Sequence, residues 1–173
     1  MISPLLANLF LNYAFDEWMK RNYPLVPFER YADDVVVHCK TKDQAVCLHK
    51  AIVKRMAECH LELHPVKTRI VYCKDDNRKG QDVAEVCFDF LGYTFRPRLS
   101  RNRTGKYFVN FSPAISKKAV KRIKRTIRQW RLQLRSSTDL NWIAAKINPV
   151  LRGWINYYGK YYKSARVQSI ILD

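Results

Sequence analysis

The residues best equipped for chemistry are Asp33 and Asp34, adjacent carboxylates inside the stretch Phe28–Cys39, FERYADDVVVHC. The flanking runs Phe28–Tyr31 and Val35–Cys39 are short, apolar and rich in residues that favour strands, and the Asp pair between them favours a tight turn. The sequence therefore predicts a β-hairpin with two carboxylates at its tip. The turn lacks the Asn-Gly or Asp-Gly pair of an easy two-residue hairpin, and such a departure is a weak sign of function at the tip. Paired carboxylates at a fixed point suit a hard divalent cation, which takes oxygen ligands. A plain solvated Asp-Asp turn carries the same signature, and these residues alone leave both readings open.

Other metal and nucleophile signals are poor. Cys39, Cys47, Cys59, Cys73 and Cys87 are odd in number, widely spaced and without a C-x-x-C, so neither a disulfide framework nor a zinc site is indicated. Buried, reduced thiols are the expectation. His60 and His64 have a spacing that zinc accepts, but no Cys pair precedes them, and they read as structural or surface residues.

Charge points to a partner. Net charge is +17 over 173 residues. Residues 1–90 carry 13 Lys/Arg and 13 Asp/Glu, whereas residues 91–173 carry 19 and 2. From Arg96 to Thr138 there is no acidic residue. Such a field opposes folding unless a polyanion is the working partner. Nucleic acid is the first candidate and an anionic membrane surface the second. Hydrophobic residues make up 47%, which excludes a disordered chain. No apolar run approaches the roughly 20 residues of a membrane span, and no signal peptide is read after Met1. A cytoplasmic protein is expected.

The elements that must position the carboxylates follow from periodicity. Ile2–Arg21 reads as a core helix with Leu5, Leu6, Leu9, Phe10, Tyr13 and Trp18 on one broad face. Thr41-x-x-Gln44 is a capping-box pattern opening a helix over Lys42–His60, with Leu48, Ile52, Val53 and Met56 inward and Lys50, Lys54 and Arg55 outward. Leu61–Leu63 and Ile70–Cys73 read as strands, Lys74–Val83 as an exposed loop, and Val86–Phe95 as an aromatic strand. Arg96–Lys106 is expected to be a basic loop and the domain boundary, followed by a strand over Tyr107–Phe111. Ser112-Pro113 opens a predicted helix over Pro113–Arg135, with Ile115, Ala119, Ile123, Ile127, Trp130 and Leu134 on its apolar face. Lys117, Lys121, Lys124, Arg128, Arg131 and Arg135 form a row along another face, about 27 Å long at helical rise. Lys118, Arg122 and Arg125 form a parallel ridge. As a bare solvated face the row repels itself; as a track for a phosphate backbone it makes sense. A membrane-surface helix would have a wider and more aromatic apolar face. Two further helices are predicted, Asp139–Ile147 stopped by Pro149 and Val150–Tyr158 stopped near Gly159.

Several of these segments resemble one family, in order and almost from end to end. Tyr31-Ala32-Asp33-Asp34 is similar to the Tyr-x-Asp-Asp signature of reverse transcriptases, in the form usual among group II intron reverse transcriptase/maturases. Ile2–Leu11 resembles the helix after the nucleotide-pocket motif, Pro65-Val66-Lys67-Thr68 the Pro-x-Lys-Thr segment, and Phe90-Leu91-Gly92-Tyr93 the primer grip. Ile147–Tyr158, INPVLRGWINYY, resembles the maturase or thumb signature.

The resemblance implies an α+β fold: a partial palm, residues 1–100, with a small antiparallel sheet and packing helices, then an all-α three-helix thumb or maturase domain, residues 101–173. It implies RNA-directed DNA polymerisation run by two Mg²⁺ ions, with Asp33 and Asp34 as catalytic metal ligands and Tyr31 beside the nucleotide or primer end. Phe90, Leu91, Gly92 and Tyr93 would hold the primer. Lys67 would face incoming phosphates, although a solvated turn lysine reads the same way. Lys117, Lys121, Lys124, Arg128, Arg131, Arg135, Arg152, Tyr157 and Tyr158 would bind RNA, with Trp142 and Trp154 inside and some of Tyr157, Tyr158, Tyr161 and Tyr162 outside. Intron RNA, template-primer and dNTP are the implied partners, with no membrane. The family's further metal-binding Asp is expected upstream of residue 1, so the chain alone is expected not to be a competent polymerase. The missing amino-terminal half, or self-association through an open sheet edge, is the expected complement. An RNA-binding maturase remnant without catalysis is the alternative.

Overall fold

A computed structural model describes residues 3–76, 85–135 and 137–161. The chain divides into two compact units, Met1–Ile70 and Val71–Asp173. The fold is α+β, as the sequence implied, and has two small antiparallel sheets where one was expected. The unit boundary differs from the expected one: residues 96–101 are strand, so the 100/101 division falls inside a hairpin.

In the first unit, helix α1 (Ser3–Leu11) runs into a π-helical turn (Asn12–Asp16) and then α2 (Glu17–Asn22). Strands β1 (Phe28–Tyr31) and β2 (Asp34–Val37) pair as an antiparallel hairpin in the register Phe28 to Val37 and Tyr31 to Asp34. Helix α3 (Lys42–Glu58) follows, and its N-cap is as expected: the Thr41 hydroxyl accepts the Gln44 N–H at 3.1 Å. Phe15, Met19, Val26, Leu48 and Met56 form the core, with Phe28 and Val37 of the hairpin packed against it. Burial of each such side chain contributes roughly 1.5–3 kcal/mol, so the hairpin is anchored by its inward residues while its tip stays in solvent.

Three expectations fail here. The apolar row of α1 is exposed rather than core, with Leu5 71% accessible, and Tyr13 of the π-turn is 65% accessible. Arg55 turns inward, its Nε donating to the Ala14 carbonyl at 3.0 Å in the π-turn. Leu61–Leu63 is not a strand; Leu61 and Leu63 reach the core from irregular chain.

In the second unit, β3 (Phe88–Phe90), β4 (Tyr93–Arg101) and β5 (Tyr107–Ile115) form one meander. Val86–Phe95 is thus not one strand but two, turning at Leu91-Gly92, and most of the expected basic loop is β4. Ile70–Cys73 is not a strand, and the expected loop Lys74–Val83 lies mostly outside the described residues. Helix α4 (Lys117–Gln129) starts later than predicted, because Ser112-Pro113 continues β5 and Ser116 is the N-cap, its hydroxyl accepting the Ala119 N–H at 3.1 Å. Helix α5 (Leu140–Tyr158) is continuous through Pro149. Pro removes one helical donor, but Ala145, whose carbonyl loses that partner, is exposed, and packing of Trp154 and Tyr158 beyond Pro149 carries the helix across. Tyr93, Ala119, Ile123 and Tyr158 form the second core. Among the described residues no helix is long and apolar enough to cross a membrane.

Candidate nucleic-acid and metal-binding site

Asp33 and Asp34 stand where the hairpin reading put them, at the solvent-facing end of β1 and β2. The turn residues are Ala32 and Asp33, and Ala32 has φ 53°, the left-handed region that costs a non-glycine residue roughly 1–2 kcal/mol. Arg30 offsets that strain. Its Nε and Nη2 donate to the two carboxylate oxygens of Asp16 at 2.8 and 2.6 Å. Its Nη1 donates to the Asn8 side-chain oxygen and to the Ala32 carbonyl, both at 3.0 Å. The pairing with Asp16 holds the guanidinium pKa above its ordinary value. Two exposed carboxylates on a fixed turn fit the donor chemistry of a hard divalent cation. Among the described residues no group of three or more His, Cys, Asp or Glu could hold a metal ion.

Tyr31 is exposed beside them, 64% accessible. Lys67 is exposed in a turn that the His64 ring braces, Nδ1 accepting the Val66 and Lys67 N–H groups at 3.3 and 3.4 Å.

The Phe90–Tyr93 segment is a second tight turn. Leu91 and Gly92 have φ 49° and 80°, the pairing of positive angles that suits a two-residue hairpin. Helix α5 grips it. The Tyr157 hydroxyl donates to the Leu91 carbonyl at 2.8 Å, and the Tyr93 hydroxyl donates to the Tyr157 carbonyl. The Ser116 N–H donates to the Gly92 carbonyl at 2.9 Å. A Cβ on Gly92 would meet the Tyr158 oxygen at 2.9 Å. Burial, with Tyr157, Tyr161 and Tyr158 around it, pushes the Tyr93 phenol up to about 12. Tyr158 is therefore core, not an RNA-facing residue as expected, and Arg122 donates to its hydroxyl at 3.3 Å. Tyr157 faces partly outward but its hydroxyl is spent on the turn.

The basic row holds for one helix and no further. Lys117, Lys121 and Arg128 are exposed on α4, Lys124 is half-buried, and Lys118, Arg122 and Arg125 form the parallel ridge. Among the described residues none of them makes an ion pair. The helix ends at Gln129, and Arg131 takes a left-handed φ of 47°, so the row does not continue. Arg135 folds back, donating to the Trp130 carbonyl at 3.1 Å and sitting over the Trp142 ring. Trp142 is half exposed rather than inside, while Trp154 stacks on Trp130 at 5.8 Å. Arg152 is exposed on α5, and Tyr162 lies outside the described residues.

Residues 1–95 match the family model for reverse transcriptase (RNA-dependent DNA polymerase), and residues 120–171 match that for the group II intron maturase-specific domain. The chain belongs to the group II intron reverse transcriptase/maturase family. No curated protein matches it. The reverse transcriptase match contains both tight turns, and the maturase match contains the two tyrosines that hold the second one. The compact units therefore do not follow the two family regions: β3 and the start of β4 belong to the first match but lie in the second unit, where Tyr93 and Phe95 share a core with α4 and α5.

The bracket of Arg30, Asp16 and Asn8 was missed in the sequence. Its members are 14 and 22 residues from Arg30, and no periodicity links them. The Leu91-Gly92 turn was missed for a different reason. Two aromatic runs separated by two residues, one of them Gly, are a hairpin signal, which the family resemblance overshadowed.

Proposed function

We propose that this chain supplies the carboxylate turn, the primer grip and an RNA-binding helix of a group II intron reverse transcriptase/maturase. The observation that carries the polymerase reading is the exposed Asp33 and Asp34 pair on a tight turn whose Ala32 carbonyl accepts a hydrogen bond from Arg30. Two Mg²⁺ ions, when bound, would activate a primer 3′-hydroxyl and stabilise the charge on the phosphate being transferred. Asp33 and Asp34 would hold such ions by oxygen donation, and Tyr31 offers an exposed aromatic ring beside them for a sugar or base. A two-ion site needs a further carboxylate, and among the described residues none joins the pair.

RNA binding rests on α4. Lys117 and Lys118 occupy its first turn, where the helix dipole already favours anions and disfavours added positive charge by about 0.3–1 kcal/mol each. A helix that carries seven basic residues over about 20 Å, none of them ion-paired among the described residues, is costly alone and favourable against a phosphate backbone. The same helix supports a second reading, an RNA-binding maturase piece that assists splicing without catalysis.

Primer extension on an RNA template decides between them, run with and without the amino-terminal polymerase half added in trans and with Asp33→Ala as control. Extension that needs the added half and is lost on the substitution supports the polymerase reading. No extension, with RNA binding that survives Asp33→Ala and weakens on Lys121→Ala/Arg128→Ala, leaves the maturase reading. Replacing those two should also reduce the salt slope of RNA binding by about 1 per lost phosphate contact. Processive synthesis by the pure chain would show that it carries every carboxylate the reaction needs.

A further inference from the structure

We infer that Arg30 is a positioning residue for the divalent-cation site, fixing the direction of the Asp33 and Asp34 carboxylates through its hydrogen bond to the Ala32 carbonyl. The inference rests on the metal-binding reading of those two carboxylates.

Arginine beside a nucleotide site invites the role of phosphate ligand, and the geometry excludes it. A guanidinium has five N–H donors, and Arg30 commits four of them to Asp16, Asn8 and the Ala32 carbonyl. Both members of the Arg30 and Asp16 pair are largely buried, with side chains 12% and 14% accessible. The fork reaches three separate pieces of chain: α1 through Asn8, the π-turn through Asp16 and the hairpin tip through Ala32. Tyr31, Ala32, Asp33, Asp34 and Val35 are all exposed, and among the described residues no other side chain donates to the tip. Ala32 is held at φ 53°, and without an anchor on its carbonyl an alanine relaxes towards negative φ. That relaxation rotates the peptide planes on both sides of Asp33 and redirects its side chain.

Charge is matched as well. An unpaired cation next to two carboxylates would weaken their hold on a metal. Asp16 cancels the guanidinium by a bidentate pair, so the fork fixes the turn without adding net positive charge. Lysine offers a point charge without the fork and cannot reach Asp16 and the carbonyl in the same geometry.

The test uses the full chain in three variants, Arg30→Lys, Asn8→Ala and Asp33→Ala, with Mn²⁺ as the probe. Amide ¹⁵N relaxation at Ala32, Asp33 and Asp34 is read first, without metal. Arg30→Lys is expected to make these three amides mobile on the nanosecond scale while β1 and β2 stay paired, and Asn8→Ala, which touches only the outer anchor, to do so to a smaller degree. Mn²⁺ titration followed by paramagnetic broadening of the same amides is read second. Arg30→Lys is expected to weaken binding about fivefold or more and Asp33→Ala to abolish it. Turn amides that stay rigid in both Arg30→Lys and Asn8→Ala overturn the positioning role whatever the metal does. A mobile turn with unchanged Mn²⁺ affinity reduces Arg30 to a structural residue and also overturns it. Mn²⁺ binding that survives Asp33→Ala overturns the metal reading instead, and is told apart because the relaxation result stands separately.

Discussion

Two-residue turns close both hairpins that carry candidate site residues: Ala32-Asp33 joins β1 to β2, and Leu91-Gly92 joins β3 to β4. Each holds a non-glycine residue in the left-handed region, Ala32 at φ 53° and Leu91 at φ 49°. In each, the carbonyl of that residue accepts a hydrogen bond from a side chain, from Arg30 Nη1 two residues away at 3.0 Å in the first and from the Tyr157 hydroxyl 66 residues away at 2.8 Å in the second. The surroundings differ. The first bracket is ionic, cancelled by Asp16, and leaves two carboxylates in water. The second is aromatic, with Tyr93, Tyr157 and Tyr158 packed around the turn and Tyr158 filling the space a Cβ on Gly92 would need. A turn that must present charge to solvent is held by polar reach from behind. A turn that presents backbone can be buried from one side.

The comparison can be broken at several strengths. Arg30→Met should cost most, about 3 kcal/mol in urea unfolding, because it leaves Asp16 largely buried without a partner; a loss under 1 kcal/mol would mean the ionic bracket is ornamental. Gly92→Ala comes next, at about 2–3 kcal/mol, combining left-handed strain with the Tyr158 overlap at 2.9 Å. Wild-type stability after that substitution would show the aromatic grip to be loose.

The phenol of Tyr93 gives a pH test of the aromatic bracket alone. Its folded pKa is raised to about 12 from an ordinary 10.0, so its contribution is complete below pH 10. Above that the unfolded chain loses the proton first, and stability falls as pH rises towards 12. Urea midpoints should drop between pH 9 and 11.5 more steeply for the wild type than for Tyr93→Phe; equal slopes would remove Tyr93 from the effect.

Tyr157→Phe should cost about 1 kcal/mol, one hydrogen bond at a half-exposed site where water can replace the hydroxyl. The smallest effect belongs to Ala32→Gly. Relief of strain is offset by the greater freedom of the unfolded chain, so the net change in unfolding free energy should stay within about 0.5 kcal/mol. A large stabilisation would mean that Arg30 holds Ala32 against more strain than the angle suggests.

The sequence by itself determined the parts that depend on near neighbours. Strand propensity around Asp33-Asp34 gave the hairpin, Thr41 and Gln44 gave the start of α3, and the 3–4 spacing of Ala119, Ile123 and Ile127 gave the buried face of α4. Local pattern also placed Lys117, Lys121, Lys124 and Arg128 on one stripe, and the ordered motifs gave the family. Only the tertiary structure decided what depends on distant partners. Ser112-Pro113 reads as a helix start, yet Pro113 pairs opposite Phe95 in the ladder, because β4 offers strand partners through Ile115. Pro149 reads as a stop, yet packing of Trp154 and Tyr158 beyond it continues α5. Tyr158 reads as an RNA contact and is core; Arg30 reads as one more basic residue and is the anchor of the carboxylate turn. The physical reason is common to these cases. Propensities and caps act within about one helical turn and are worth about 1 kcal/mol, whereas the burial and ion pairing that override them come from residues tens of positions away, which no local pattern encodes.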